Sequence, residues 1–351
     1  MILPETYPVV LALMILSLVC LGSWPALFKL AGKWRFELFY LDFAAGLIAA
    51  AVIYGLTVGN LGFDGFNFFD DLQHAGKRQW LFAFLAGVIF NLANMLLMAA
   101  LSVSGMAIAF PLAMGIAVLV GTGLGAAARA AGNTLMLSLG CILMLTSVAA
   151  AAASDRMLEI SRHEALARAG RARSTRRPSS WKGILLALFA GVLMGAYPPL
   201  LDKARGGDIG MGPYALTAMF ALGVFFTSPI YDIFFMNLPV QGEPLDFGGI
   251  LATSLKQHLF GLFAGVLWCT GILAAMIVAG VPEQIHGGPV LIYMLGQSWP
   301  VLAALWGILV FREFSEGDVR VTILGVLMLV LFLCGLGMIA LGPLTLPGKA
   351  G

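Results

Sequence analysis

The chain has 351 residues, 60% of them apolar, and a mean hydropathy of +0.95. Such a load of apolar residues excludes a soluble domain and makes this an integral membrane protein. The formal net charge is only +2, so what the charges say lies in their placement.

Ten apolar segments are long enough to cross hydrocarbon as helices, and they are too long and continuous for barrel strands. The first, 7–30, carries Trp24-Pro25 and ends near Lys29. It runs too long for a cleavable signal, and no basic region precedes it. The second, 36–57, opens on Glu37 and carries Asp42 about two turns in. Across a tight hairpin Lys29 and Asp42 are expected at similar depth, within reach of each other. Such a pair is either a carboxylate that exchanges a proton during transport or a structural ion pair. Glu37 sits nearer the interface and is the second proton-coupling candidate.

The third segment, 79–100, holds Asn91 and Asn94. Three apart, they share one helix face and offer amide donors and acceptors to a neutral polar solute or to a neighbouring helix. The fourth, 103–127, contains Pro111 and the run Gly121-Thr122-Gly123-Leu124-Gly125. That run follows no strand and reads as helix packing rather than as a phosphate loop. The fifth is 133–153. A basic linker, 154–180, follows, with a short amphipathic helix expected over Asp155–Ala169 and a mobile part over Arg171–Ser180. Its arginines suit anionic lipid rather than nucleic acid, because the rest of the chain is embedded in membrane.

The sixth segment, 181–201, has Tyr197-Pro198, again an aromatic beside a helix breaker. The seventh is 211–237. The eighth, 257–279, carries Trp268 and Thr270, as cavity wall or as core. The ninth, 287–311, opens near Pro289 and places Tyr293 one turn before Gln297 on one face, a phenol and an amide suited to a polar ligand. The tenth is 320–342. The substrate-lining candidates are therefore Trp24, Asn91, Asn94, Tyr197, Trp268, Thr270, Tyr293 and Gln297. The proton-coupling candidates are Asp42, Glu37 and Lys29, and the expected kinks or gates are Pro25, Pro111, Pro198 and Pro289.

The chain also contains itself twice. Phe43-Ala44-x-Gly46 with Ile53-Tyr54 returns 177 residues later as Phe220-Ala221-x-Gly223 with Ile230-Tyr231. Leu81-Phe82 with Ala86-Gly87-Val88 returns 178 residues later as Leu259-Phe260 with Ala264-Gly265-Val266. Pro111 corresponds to Pro289, Phe90 to Trp268, and Trp24-Pro25 to Tyr197-Pro198. A five-span unit repeated in tandem turns its second copy upside down, an arrangement suited to alternating access. The expected organisation is a first five-helix repeat over 1–153, a cytoplasmic linker over 154–180 and a second repeat over 181–351. Fourteen of the basic residues fall on the linker's side of the membrane and six on the other. The positive-inside rule then puts the linker in the cytoplasm and both termini outside.

No catalytic constellation stands out, so no enzyme activity is expected. No G-x4-G-K-[ST] motif is present. The four cysteines all fall inside spans without metal or redox spacing, and the four histidines are scattered. No metal or cofactor is expected.

This architecture resembles the drug/metabolite transporter superfamily, and within it the ureide permeases and related bacterial sugar-uptake permeases. The residues that carry the resemblance are Tyr40-Leu41-Asp42-Phe43, the Ala86-Gly87 to Asn94 stretch, Val118-Leu119-Val120-Gly121-Thr122, and Leu302 to Phe314 with its W-G-I-L-V-F-R-E-F ending. Some plant members carry a nucleotide-loop-like motif in their central loop; this chain does not. The resemblance implies a secondary permease of a small neutral polar solute, a ureide, a nucleobase or a monosaccharide, taken up with protons. It implies a bacterial plasma membrane, and the partners expected are the small-molecule solute, protons and membrane lipid, with no nucleic acid. The protein would act as a monomer or homodimer. An exporter of amphipathic metabolites is the alternative within transport, and a scramblase or non-transporting membrane subunit is the alternative outside it.

Overall fold

Hydrophobic runs bounded by proline, glycine and short polar caps become helices close to the expected limits. The computed structural model describes residues 1–343 except 33, 62–65, 129–132, 169–180, 247, 252, 283–284 and 286–287. Among these it has α1 (Tyr7–Leu30), α2 (Phe36–Leu56), α3 (Phe68–His74), α4 (Lys77–Ser104), α5 (Met106–Ala128) and α6 (Thr134–Arg168). Then come α7 (Trp181–Ala196), α8 (Pro198–Arg205), α9 (Pro213–Asn237), α10 (Gly248–Leu251) and α11 (Leu255–Ala279). The last are α12 (Pro289–Gln297), α13 (Trp299–Leu305), a π-helical turn (Trp306–Val310) and α14 (Val319–Leu341). No strand occurs among the described residues. Among the described residues, ten helical segments are long and apolar enough to cross a membrane.

The helix starts follow local chemistry. Ser254 and Gln257 form a capping box at the start of α11. Asn67 caps α3, Asn133 caps α6 and Asp318 caps α14 through side-chain oxygens. Pro213 and Pro289 sit in the first turns of α9 and α12, where a missing N–H costs nothing. Pro289 is therefore a helix start and not the kink expected of it. The interruption of the ninth span comes at Ser298, between α12 and α13, beside Pro300, which cannot donate to the preceding turn. The sixth span is likewise broken at Tyr197, just before Pro198. Pro25 and Pro111, in contrast, lie inside continuous helices.

The helix of the fifth span continues past 153 into the linker. α6 runs unbroken to Arg168, because no glycine or proline follows Gly140 within it. The Arg171–Ser180 part of the linker lies outside the described residues.

The chain forms two compact units, each drawing helices from both halves of the sequence. The first comprises Met1–Met95 and Ala196–Trp299. Here α2 lies against both α11 and α9, and α1 against α11. The duplicated glycines are where backbones meet. A Cβ on Gly46 would overlap the Leu262 carbonyl oxygen, and one on Gly265 would overlap that of Phe43. A Cβ on Gly87 would strike Phe220 O, and one on Gly223 would strike Phe84 O. So α2 crosses α11, and α4 crosses α9, each at one glycine of either motif. On the loops of this unit, both carboxylate oxygens of Asp71 accept from the Gly212 amide, at 3.0 and 2.9 Å.

The second unit comprises Leu96–Gly195 and Pro300–Gly351. In it α6 packs along α14, and α5 along α6. Ser147 and Ser154 of α6 donate to the backbone oxygens of Met328 and Val321, at 2.8 and 3.2 Å. The R-E of the F-R-E-F ending has a structural role. Arg312 takes a left-handed turn at φ 51°. Glu313 then accepts from the Met106 and Ala107 amides at 3.1 and 2.8 Å, capping α5 with negative charge. Arg162 closes the same corner by donating to Glu313 O at 3.0 Å and to Glu316. The run Gly121 to Gly125 does not serve close packing: a Cβ on any of its three glycines would meet nothing within 4 Å.

Candidate functional site

Six aromatic rings in the first unit form one connected cluster. The Trp268 indole stacks on Phe220 at 5.6 Å and 11°. It lies 4.3 Å from Phe90 and 6.4 Å from Phe43. Phe43 in turn contacts Trp24 at 5.0 Å, and Tyr197 contacts Phe90 at 5.5 Å and Phe220 at 6.0 Å. These six rings are three duplicated pairs: Trp24 with Tyr197, Phe43 with Phe220, and Phe90 with Trp268. Aromatic pairs at such separations add to the stability gained by burial. Trp24 is fully buried and Trp268 nearly so, while Tyr197 is half-buried. Its hydroxyl makes no hydrogen bond among the described residues, which leaves it available at the cluster's margin.

A polar layer borders these rings. Asn91 Nδ2 donates to Val224 O at 3.1 Å and to Thr227 Oγ1 at 2.8 Å, and Asn91 Oδ1 accepts from Ser228 at 3.3 Å. Through these bonds Asn91 ties α4 to α9. Asn94 differs. Its Nδ2 donates to the Tyr40 hydroxyl at 3.2 Å, and its Oδ1 accepts no bond among the described residues. Tyr40 closes the group by donating to Asn91 O at 3.4 Å.

Thr270 is engaged by other side-chain and backbone groups. Its hydroxyl bonds that of Tyr54 at 2.7 Å and also donates to Val266 O. Gln297 is half-buried at the end of α12, and its amide makes no hydrogen bond among the described residues. Tyr293, one turn earlier, is half-buried too. Their helix packs on α1, where Ile292 and Leu295 meet Val10 and Met14.

The ionisable groups are arranged differently from the expectation. Asp42 pairs with Nδ1 of His258 at 2.6 Å, both side chains half-buried, and not with Lys29. His258 sits in the first turn of α11 and packs edge-on against Trp34 at 5.8 Å. Glu37 is fully buried, with a two-point bond from Arg35: Nε to Oε2 at 3.1 Å and Nη2 to Oε1 at 2.6 Å. It is more buried within the protein than Asp42. Sequence reasoning missed Asp232, a fully buried carboxyl on α9. The available signal was its position directly after the duplicated Ile230-Tyr231, inside an apolar helix. The described residues hold no cluster of metal-ligating side chains.

No protein-family model matches the chain. Curated sequences do. Ureide permease 1 of Arabidopsis thaliana is 24% identical over 92% of this chain and 94% of its own length. This chain is similar to ureide permeases. Ureide permease 4 of the same plant is 24% identical, matching 93% of this chain and 95% of itself. Ureide permease 2 is 23% identical over 95% and 96%. These ureide permeases thus match from end to end, rather than over one motif. One solved structure overlays 94% of this chain and 99% of its own at 16% identity and a TM-score of 0.46, too distant a likeness to bear on the fold.

Proposed function

We propose that this protein is a secondary permease for a small neutral polar solute, a ureide or nucleobase-like compound before a monosaccharide, taken up with protons. The observation that carries this reading is the end-to-end similarity to ureide permeases, over 92% of this chain and 94% of the relative. The chemistry around the ring cluster agrees with it. A planar heterocycle stacks on aromatic faces, and its amide edges match the unspent Oδ1 of Asn94 and the Tyr197 hydroxyl at the cluster, with the Gln297 amide at the end of α12 as a further candidate. No charge of fixed sign stands among these three groups, which favours a neutral ligand.

The halves 1–153 and 181–351 act as inverted repeats joined by the linker 154–180, with the linker cytoplasmic and the termini outside. The breaks at Tyr197 and Ser298 supply the places where a span can bend. Asp42, with His258 as its partner, exchanges protons with water at the half-exposed end of the first unit. Proton flow then drives the solute, since the sequence carries no nucleotide-binding loop.

Ligand binding tests the substrate class directly. Purified protein should gain thermal stability with ureides and nucleobases, by about 2.7 kcal/mol at a hundredfold excess over Kd. Monosaccharides should give a smaller gain. Stabilisation by amphipathic cations alone would move the protein to the exporter class, and stabilisation by none of these would remove it from solute transport.

A further inference from the structure

Asp232 is fully buried, and neither of its carboxyl oxygens has a hydrogen-bond partner among the described residues. Few positions in a membrane protein are as costly. An ionised carboxylate without a donor in low dielectric loses its hydration and recovers nothing, so the group must carry a counter-ion or a proton. Among the described residues no cationic side chain pairs with it. Asp232 lies on α9, which packs against α2, the helix that carries Glu37 and Tyr40. Glu37 is negative and already committed to Arg35. Tyr231 precedes Asp232 on α9, and Tyr40 of α2 bonds Asn91 and Asn94 of α4. Asp232 thus lies one turn after Ser228, which bonds the Asn91 amide of the Tyr40–Asn91–Asn94 layer bordering the rings.

We propose that Asp232 is the site at which the coupling proton rides through the membrane, a role that rests on the transport reading above. A carboxyl that gains and loses one proton one turn from Ser228 changes the charge felt by the polar layer, and so links ion occupancy to the solute site. Loss of that proton adds a second buried carboxylate on α9 to that of Glu37 on α2, whose Arg35 partner is already engaged. Their repulsion makes the deprotonated state unstable unless the structure opens that end to water. This contrasts with Asp42, whose half-exposed pairing with His258 allows exchange without any such opening.

Infrared spectroscopy of the full-length protein in lipid nanodiscs reads the proton directly. At neutral pH the wild type should show the C=O stretch of a protonated carboxyl, and Asp232→Asn should lose that band while keeping its fold, since the amide imitates the neutral acid in size. In proteoliposomes, Asp232→Asn should abolish accumulation of labelled allantoin, a soluble ureide, under an imposed pH gradient, and should retain counterflow exchange. Persistence of the band in Asp232→Asn, or undiminished gradient-driven accumulation, overturns the assignment. Should Asp232→Asn not fold, Glu37→Gln decides it: the band stays and titrates at a shifted pH if it belongs to Asp232, and vanishes if Glu37 holds the proton, which also overturns it. A wild type that shows the band but no counterflow of either ureides or nucleobases would refute the permease reading while leaving Asp232 as a proton site.

Discussion

Gly265→Val should leave no monodisperse folded protein, and Gly46→Val should do the same. At each position the added Cβ runs into main chain: the Phe43 carbonyl and Leu47 amide for Gly265, the Leu262 carbonyl for Gly46. No rotamer change relieves a clash with backbone, so α2 and α11 must separate. Overpacking alone costs roughly 1–3 kcal/mol, occasionally more. Here the loss extends along the crossing, because close approach of backbones is what holds two helices together in lipid. Gly123→Val is the control, since a Cβ there meets nothing within 4 Å. Size-exclusion chromatography of fluorescent fusions separates the outcomes: a collapsed peak for Gly265→Val and Gly46→Val, and a wild-type peak for Gly123→Val. Wild-type elution and melting of Gly265→Val would mean that the α2–α11 crossing is looser than described.

Asn91→Ala and Gln297→Ala should fail in opposite ways. Asn91 gives its amide to Val224 O and Thr227 and takes a bond from Ser228. Its removal strands buried partners on α9, at a cost of about 1–3 kcal/mol, so thermal stability falls. Gln297 makes no hydrogen bond among the described residues, so its truncation should alter stability by no more than about 0.5 kcal/mol. If its amide meets the solute, affinity for allantoin falls by roughly one to two decades. Melting curves with and without allantoin distinguish the two. A stable Gln297→Ala protein with wild-type affinity removes that residue from the site.

The spans were legible because hydrophobic length is a one-dimensional signal: the expected limits of α1 and α2 lie within a residue of those observed. The duplicated Gly46, Gly87, Gly223 and Gly265 were legible as repeats, and the structure adds that they meet across two crossings. The partner of Asp42 was not legible. Proximity along the chain suggested Lys29, but the partner is His258, 216 residues away, and packing of α2 on α11 decides it. That Thr227 and Ser228 of α9 bond Asn91 was not legible either. Pro289 misled because proline at a helix start and proline within a span look alike when the start is uncertain. Asp232 was lost in the average: one carboxyl barely lowers the hydropathy of α9, yet its burial makes it the most demanding residue there.

The central claim is that the protein moves a ureide-like solute across a membrane by alternating access. Counterflow tests it with the fewest assumptions, because exchange needs neither an ion gradient nor a known direction of net flux. Proteoliposomes loaded with unlabelled allantoin and diluted into a trace of labelled allantoin should accumulate label transiently. Unlabelled ureides and nucleobases added outside should suppress that uptake more strongly than monosaccharides do. Label entering no faster than into protein-free liposomes, across ureides and nucleobases alike, would contradict the account.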